Sequence, residues 1–130
     1  ERTEIAMDEV LSTIDSHLTE LGLNYEFGRM TKVPVTYPYW VGDYTSSQGT
    51  TEDGQENISV ILTGFSRGSF FELEKQKSII INHYRHSVSV LTEKGSAMVI
   101  FYDNSFNIPL EDDDLKKCQV TLSVKLWKGN

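Results

Sequence analysis

Apolar side chains recur in the first part of the chain at the three- and four-residue spacing of one helix face. The recurring residues are Met7, Val10, Leu11, Ile14, Leu18 and Leu21. Asp8, Glu9 and Asp15 fall on the other side of the same helix. Gly22 follows the last periodic residue and is a suitable stop. The pattern therefore predicts a helix from about Thr3 to Leu21.

After this helix the period of the pattern changes to two, which is typical of strands. The segments that alternate, or that are rich in β-branched and aromatic residues, are Tyr25–Phe27, Tyr39–Tyr44, Asn57–Phe65, Val88–Leu91, Ala97–Tyr102 and Cys118–Leu126. The last of these has one apolar and one polar face, as a half-buried antiparallel strand does. Ala97–Tyr102 is apolar on both faces, which predicts a central position or an outer face that a partner covers.

Loops and a second helix separate these strands. Lys32–Pro38 contains two prolines and is interpreted as an edge strand or an extended linker. Thr45–Glu56 has no apolar residue and predicts a long polar loop, and Asp103–Asp114 predicts an acidic, turn-rich one. Ser69 and Glu72 have the spacing of a capping box, so a second helix is predicted from Ser69 to Arg85 or His86.

The order of elements is α, β, β, β, α, followed by two or three strands. Strands joined by hairpins, with helices segregated on one face, form a two-layer α+β sandwich. We therefore expect a single domain over residues 1–130 with a mainly antiparallel sheet and two helices on one face.

Composition narrows the classes of function. The 130 residues carry a formal charge of −7, which disfavours phosphate backbones and anionic membrane surfaces as partners. No apolar stretch approaches the roughly 20 residues of a spanning helix. The single Cys118 excludes an internal disulfide and a cysteine-cluster zinc site, and it fits a reducing compartment. Neither a cofactor nor a metal is predicted.

Three groups of side chains are of residue types that can bind a metal ion or act in catalysis. His83 and His86 have helical spacing for one metal ion, but no third ligand is placed by spacing. The acidic run from Glu111 to Asp114 lacks the alternation and the glycine of a calcium loop, so a solvated or partner-facing loop is favoured. Cys118 lies on the apolar face of its strand, where a cysteine behaves as a small hydrophobe.

The run Gly64-Phe65-Ser66-Arg67-Gly68 matches the spacing of a nucleophile elbow at a strand-to-helix turn. A hydrolase of that type needs a longer chain and a parallel sheet, so two glycines that permit a tight exit from the strand are the favoured interpretation. Arg67 is better explained as a binding residue at an exposed bend, where a guanidinium suits a carboxylate of a partner. The aromatic run from Tyr37 to Tyr44 offers a further contact surface, or core packing for half of its members.

Several segments together resemble a known family. They are Lys32-Val33-Pro34-Val35-Thr36-Tyr37-Pro38-Tyr39, Gly42-Asp43-Tyr44, Glu52-Asp53-Gly54, Leu62-Thr63-Gly64-Phe65-Ser66-Arg67-Gly68 and the terminal Leu126-Trp127-Lys128-Gly129. In order and texture the chain, from about Met7 to Gly129, resembles the tail-terminator (tail-completion) proteins of long-tailed bacteriophages and Gram-positive prophages.

The resemblance implies a structural virion protein and not an enzyme. Such subunits form a ring, commonly a hexamer, that caps the tail tube and joins it to the head–neck connector protein. They act in the virion tail after assembly in the host cytoplasm, without a membrane or a specific nucleic acid as partner. The predicted partner-contact residues are Trp40, Asp43, Tyr44, Glu52, Asp53, Arg67, Asp112 and Asp113.

Two alternatives remain open from the sequence. The first alternative is another neck or tail-tube subunit of similar fold. The second is a small hydrolase or ligand-binding domain. The second alternative would use Ser66 with a histidine, or the Asp112–Asp114 loop.

Overall fold

The chain folds into two helices and a six-stranded sheet in a computed structural model that describes residues 2–47, 55–112 and 114–127. The elements are α1 (Arg2–Glu20), β1 (Tyr25–Phe27), β2 (Tyr39–Ser47), β3 (Glu56–Arg67), α2 (Phe71–Tyr84), β4 (Val88–Leu91), β5 (Ala97–Ile108) and β6 (Leu115–Trp127). The sheet order is β1-β2-β3-β6-β5-β4. Only β1 and β2 are parallel to each other. The predicted α+β class with a mainly antiparallel sheet is confirmed.

One face of the sheet and one stripe of each helix form a single core. The helices contribute Val10, Ile14, Leu18, Leu73, Ile80 and Tyr84, and the central strands β3 and β6 contribute Ile58, Val60, Leu62, Cys118, Val120, Leu122, Val124 and Leu126. Every second residue of β3 and β6 is buried, which is the pleat period of a strand with one covered face. Both helices therefore pack on the same face of the sheet, as predicted.

The end of α1 follows the predicted stop at Gly22. This glycine has a φ of +83°, in the left-handed region. Glycine adopts this conformation without a steric penalty because it has no Cβ atom. The Leu23 amide donates to the Leu18 carbonyl and the Gly22 amide donates to the Thr19 carbonyl. These two bonds form a Schellman motif, which satisfies carbonyls that the helix end leaves unpaired.

The predicted start of α2 is wrong. The helix begins at Phe71, and Phe70 occupies the N-cap without a side-chain cap. Ser69 lies one residue too early to pair with Glu72 in a capping box, and its Oγ accepts instead from the Phe71 amide at 3.4 Å. A residue spacing alone cannot distinguish these two arrangements.

The strands are longer than predicted at both polar loops. Strand β2 continues through Ser47 and β3 begins at Glu56, so both ends of the predicted Thr45–Glu56 loop belong to a hairpin. Residues 48–54 lie outside the described residues. Strand β5 continues through a bulge between Tyr102 and Asn104 to Ile108, where the prediction placed a loop. The pairing with β6 keeps these polar residues in the sheet, because neighbouring strands outweigh local propensity.

Neither of the two described helices is both long and apolar enough to cross a bilayer.

Candidate interaction surface

The sheet face opposite the helices is covered by neither described helix. We call it the open face. It is formed by alternate residues of the central strands: Val41 and Asp43 of β2, Ser59, Ile61, Thr63 and Phe65 of β3, Lys117, Gln119, Thr121, Ser123 and Lys125 of β6, and Val99 and Phe101 of β5. Most of these side chains are half-buried. Apolar and polar side chains therefore share this face of the sheet.

Strand β6 makes the middle of the open face polar and gives it two cations. The Lys117 ammonium lies 5.5 Å from the ring centre of Phe65, and the Lys125 ammonium lies 5.9 Å from that of Phe101. Both distances fit cation–π contacts. Among the described residues, neither ammonium has a carboxylate within ion-pair distance. The open face therefore carries both signs of charge, since Asp43 lies on it as well and Ser123 Oγ donates to Asp103 Oδ2 at 3.5 Å.

An aromatic row crosses one end of the open face. The rings of Tyr39 and Phe65 stack with centres 5.0 Å apart, and Tyr37 lies 5.5 Å from Tyr39. The Arg67 guanidinium lies 5.5 Å from the Tyr37 ring centre. Burial raises the pKa of Tyr39. The row connects the open face to the segment that enters β2.

The Arg67 side chain is oriented by carboxylates of the acidic loop that precedes β6 in the same chain. Its Nη1 atom lies 3.1 Å from Asp114 Oδ2 and 3.6 Å from Asp112 Oδ2. The Gly68 amide also donates to the Asp114 carbonyl. Interactions with the Tyr37 side chain and then with Asp114 raise the pKa of Arg67. The structure thus brings together Arg67 and Asp112, which were singled out separately, and adds Asp114.

A shallow groove of about 480 Å³ lies between this end of the open face and the segment after β1. Arg29, Met30 and Val35 line one side, and Tyr39, Val41, Asp43, Thr63, Phe65 and Lys117 line the other. We call it the basic groove, because Arg29 and Lys117 outnumber Asp43. Val35, on its wall, is 38% exposed. Sequence reasoning did not find this groove, since its walls are far apart in the chain.

A second groove, of about 460 Å³, lies at the opposite edge of the sheet between α1 and β4. Asp8, Glu9, Ser12 and Thr13 line the helix side, and Val90, Leu91, Thr92, Glu93 and Lys94 line the strand side. We call it the acidic groove, because three carboxylates face one lysine. Leu91 is 77% exposed there. Ser96 Oγ donates to Glu9 Oε1 at 3.0 Å, which ties α1 to the turn after β4.

The predicted contact residues of β2 do not share one surface. Trp40 has no exposed surface, and its Nε1 donates to Gln76 Oε1 at 2.8 Å. Its prediction as a partner contact is corrected, because the ring fills the core between β2 and α2. Asp43 is exposed on the open face, whereas Tyr44 lies on the helix side and stacks on Phe27. Of the acidic predictions, Glu52, Asp53 and Asp113 lie outside the described residues.

The elbow-like run does not have the geometry of a hydrolase nucleophile. Ser66 is inside β3, paired with Lys116, and only 3% exposed. A Cβ atom on Gly64 would lie 2.7 Å from two ring carbons of Trp40 and 2.9 Å from Leu73 Cδ1. Gly68 has a φ of +90°. Each glycine therefore has a structural reason, close packing in one case and a left-handed turn in the other.

His17 of α1 and His83 of α2 lie close together where the two helices meet. His17 Nδ1 lies 2.7 Å from the hydroxyl of Tyr84, which has no exposed surface. The His17 and His83 rings are 5.2 Å apart. Burial, and then the charge of His83, lowers the pKa of His17. Among the described residues, no three histidine, cysteine or acidic side chains are placed to hold a metal ion.

The chain was also compared with known proteins. No protein-family model matches it, and a search of curated sequences finds no match. The fold and the surfaces described above are therefore the basis for a functional proposal, together with the resemblance in sequence texture.

Proposed function

We propose that the chain is a structural subunit of a phage or prophage tail. In this proposal it associates with copies of itself into a closed ring, caps the tail tube and forms the joint to the head–neck connector. Growth of the tube stops because the ring covers the surface on which the next tube subunits would assemble. The proposal follows the sequence resemblance, and the α+β fold of the chain is compatible with it.

The observation that carries the proposal is the open face. Ile61, Val99 and Phe101 are half-buried on a sheet surface that no described helix covers. Burial of apolar surface contributes about 25 cal/mol per Å², and a stable interface buries roughly 800 Å² on each partner. This sheet face combines apolar side chains with two lysines, a composition that suits contact with another protein subunit.

The Arg67 cluster supports the same proposal. Its side chain is 46% exposed although Nη1 is bonded to Asp114. A guanidinium has five donors, so bonding to two carboxylates of its own chain leaves others for a partner. The internal contacts fix the direction of the side chain before a partner binds, which lowers the entropy cost of association.

The first test is the mass of the protein in solution, measured by light scattering over a range of concentrations. A closed oligomer of fixed mass is the expected result. Open-ended growth would instead identify a tube subunit, because a heterologous contact that does not close yields filaments. A monomer at every concentration would contradict the proposal.

The second test concerns capping itself and uses assembling tail-tube protein of the same phage, followed by electron microscopy. The wild-type chain is expected to stop elongation. Val99→Asp is expected to lose this effect while it stays folded, because Val99 pairs with Lys125 across the strands. Ser78→Asp on the exposed surface of α2 is the matched control, and Ser66→Ala tests the hydrolase alternative. Equal capping by Val99→Asp would contradict a role of the open face.

A further inference from the structure

The two grooves differ in charge and lie at opposite edges of the same sheet. The basic groove involves β2 and β3 near the β1 edge, and the acidic groove involves β4 at the other edge. A contact between two different surfaces of identical chains is heterologous, and it builds a ring when its rotation closes.

We infer that the basic groove of one copy binds the acidic groove of the next copy. This inference rests on the proposed function, since it names the two surfaces through which the ring would form. The occupant of each groove is thus a second copy of this chain.

Charge is the first argument for this pairing. Arg29 and Lys117 face one groove, while Asp8 and Glu93 face the other. Asp8, Glu93 and Arg29 are exposed, and none of them forms an ion pair with another described residue. Complementary charges across an interface fix its register and suppress wrong orientations. An orientation in which two basic grooves or two acidic grooves met would place like charges against each other.

Apolar surface is the second argument, because each groove has a prominent apolar side chain beside it. Leu91, which is 77% exposed, lines the acidic groove, and Val35, which is 38% exposed, lines the basic groove. Interfaces combine an apolar centre with a polar rim. Contact between these two edges would cover both side chains and surround them with paired charges.

The edge strand is the third argument. Strand β4 pairs only with β5, so its outer backbone groups face away from the sheet. Exposed strand edges are sites at which another chain adds. The acidic groove lies against this edge, and a second copy seated there would cover it.

The test uses two variants, each with one groove reversed in charge. Asp8→Lys/Glu93→Lys makes both grooves of a copy basic, and Arg29→Glu/Lys117→Glu makes both acidic. Each variant alone should show at least about a tenfold loss of affinity in sedimentation or light scattering. An equimolar mixture should recover association, because every contact in it joins a basic groove to an acidic one.

The controls separate this result from a general effect of charge. Glu72→Lys and Lys75→Glu change exposed charges on α2, away from both grooves, and should associate as the wild type does. Circular dichroism and urea midpoints establish that all variants fold. Higher salt should weaken the wild-type contact, because exposed charges are screened beyond about 10 Å at 0.1 M.

The outcomes distinguish this inference from the function on which it rests. If the wild type forms a closed oligomer and either variant alone assembles equally well, the groove contact is wrong while the ring function stands. The same holds if the mixture does not recover. A wild-type monomer at every concentration overturns both the groove contact and the proposed function.

Discussion

Gly64 offers the sharpest test of how the core is packed. It lies on β3 directly opposite Trp40 on β2, and the indole covers the space that a side chain would need. In Gly64→Ala the new methyl carbon would lie 2.7 Å from Trp40 Cη2 and Cζ3 and 2.9 Å from Leu73 Cδ1. Trp40 cannot withdraw easily, because it is fully buried and bonded through Nε1 to Gln76.

The magnitude follows from two opposing contributions. Overpacking of a filled core costs about 1–3 kcal/mol. Replacing glycine by alanine recovers about 0.5–1 kcal/mol, because the unfolded chain loses less conformational entropy on folding. Subtracting the two ranges gives a net loss in the free energy of unfolding of about 0–2.5 kcal/mol, and the 2.7 Å contact with the buried indole places the loss in the upper half of that range. With a urea m-value of about 2 kcal/mol per M, a loss of about 1.2–2.5 kcal/mol lowers the unfolding midpoint by about 0.6–1.2 M.

A double-mutant cycle identifies the cause of this loss. In a Trp40→Phe background, the same Gly64→Ala change should cost less, since phenylalanine lacks the outer ring carbons that the methyl group meets. Coupling between contacting residues is typically 0.5–3 kcal/mol in magnitude. A midpoint that is unchanged or raised in Gly64→Ala, or a cost that is independent of the Trp40 background, would refute the packing argument.

Three further predictions concern buried polar groups. Because the folded chain lowers the pKa of His17 below its ordinary value of 6.5, the unfolded chain binds more protons in acid. The free energy of unfolding should therefore fall as the pH drops below about 6.5. In His17→Gln, whose amide can still bond to Tyr84, the urea midpoint should fall less over the same pH range. A variant whose pH profile equals that of the wild type would contradict this. Burial raises the pKa of the Cys118 thiol to about 11. A thiol reagent at pH 8 should therefore label the denatured protein quickly and the native protein slowly. Fast labelling of the native protein would contradict this. Gln76→Leu should lower stability by about 1–3 kcal/mol, because the buried Trp40 N–H loses its acceptor, and a thermal midpoint equal to that of the wild type would count against it.

The elements were predictable where periodicity is long and local. The buried stripe of α1 and the alternation of β6 are both visible in the sequence, since one side of each element packs against the core. The turn at Gly22 was also predictable, because a stop residue follows a helical pattern. These features depend only on neighbours within a few residues.

The surfaces were much less predictable. The extension of β5 to Ile108 depends on pairing with β6, which no local pattern of Asn104 or Asn107 indicates. The partners of Arg67 come from a loop 47 positions further along the chain. Trp40 could have faced either side of β2, and its direction follows from the place of Gly64 on the next strand. Long-range pairing decided each of these positions.

The position of β6 has a consequence for how the chain folds. It is the last of the described strands in chain order, yet it lies in the middle of the sheet between β3 and β5. Until β6 has been synthesised, β1-β2-β3 and β4-β5 can exist only as two separate pieces with unprotected edges. Pairing Glu56 with Leu126 also requires closure of a long loop, and such contacts make folding slow. A nascent chain that stops before β6 would expose the edges of β3 and β5 at once, and both edges remain open to aggregation until β6 pairs with them.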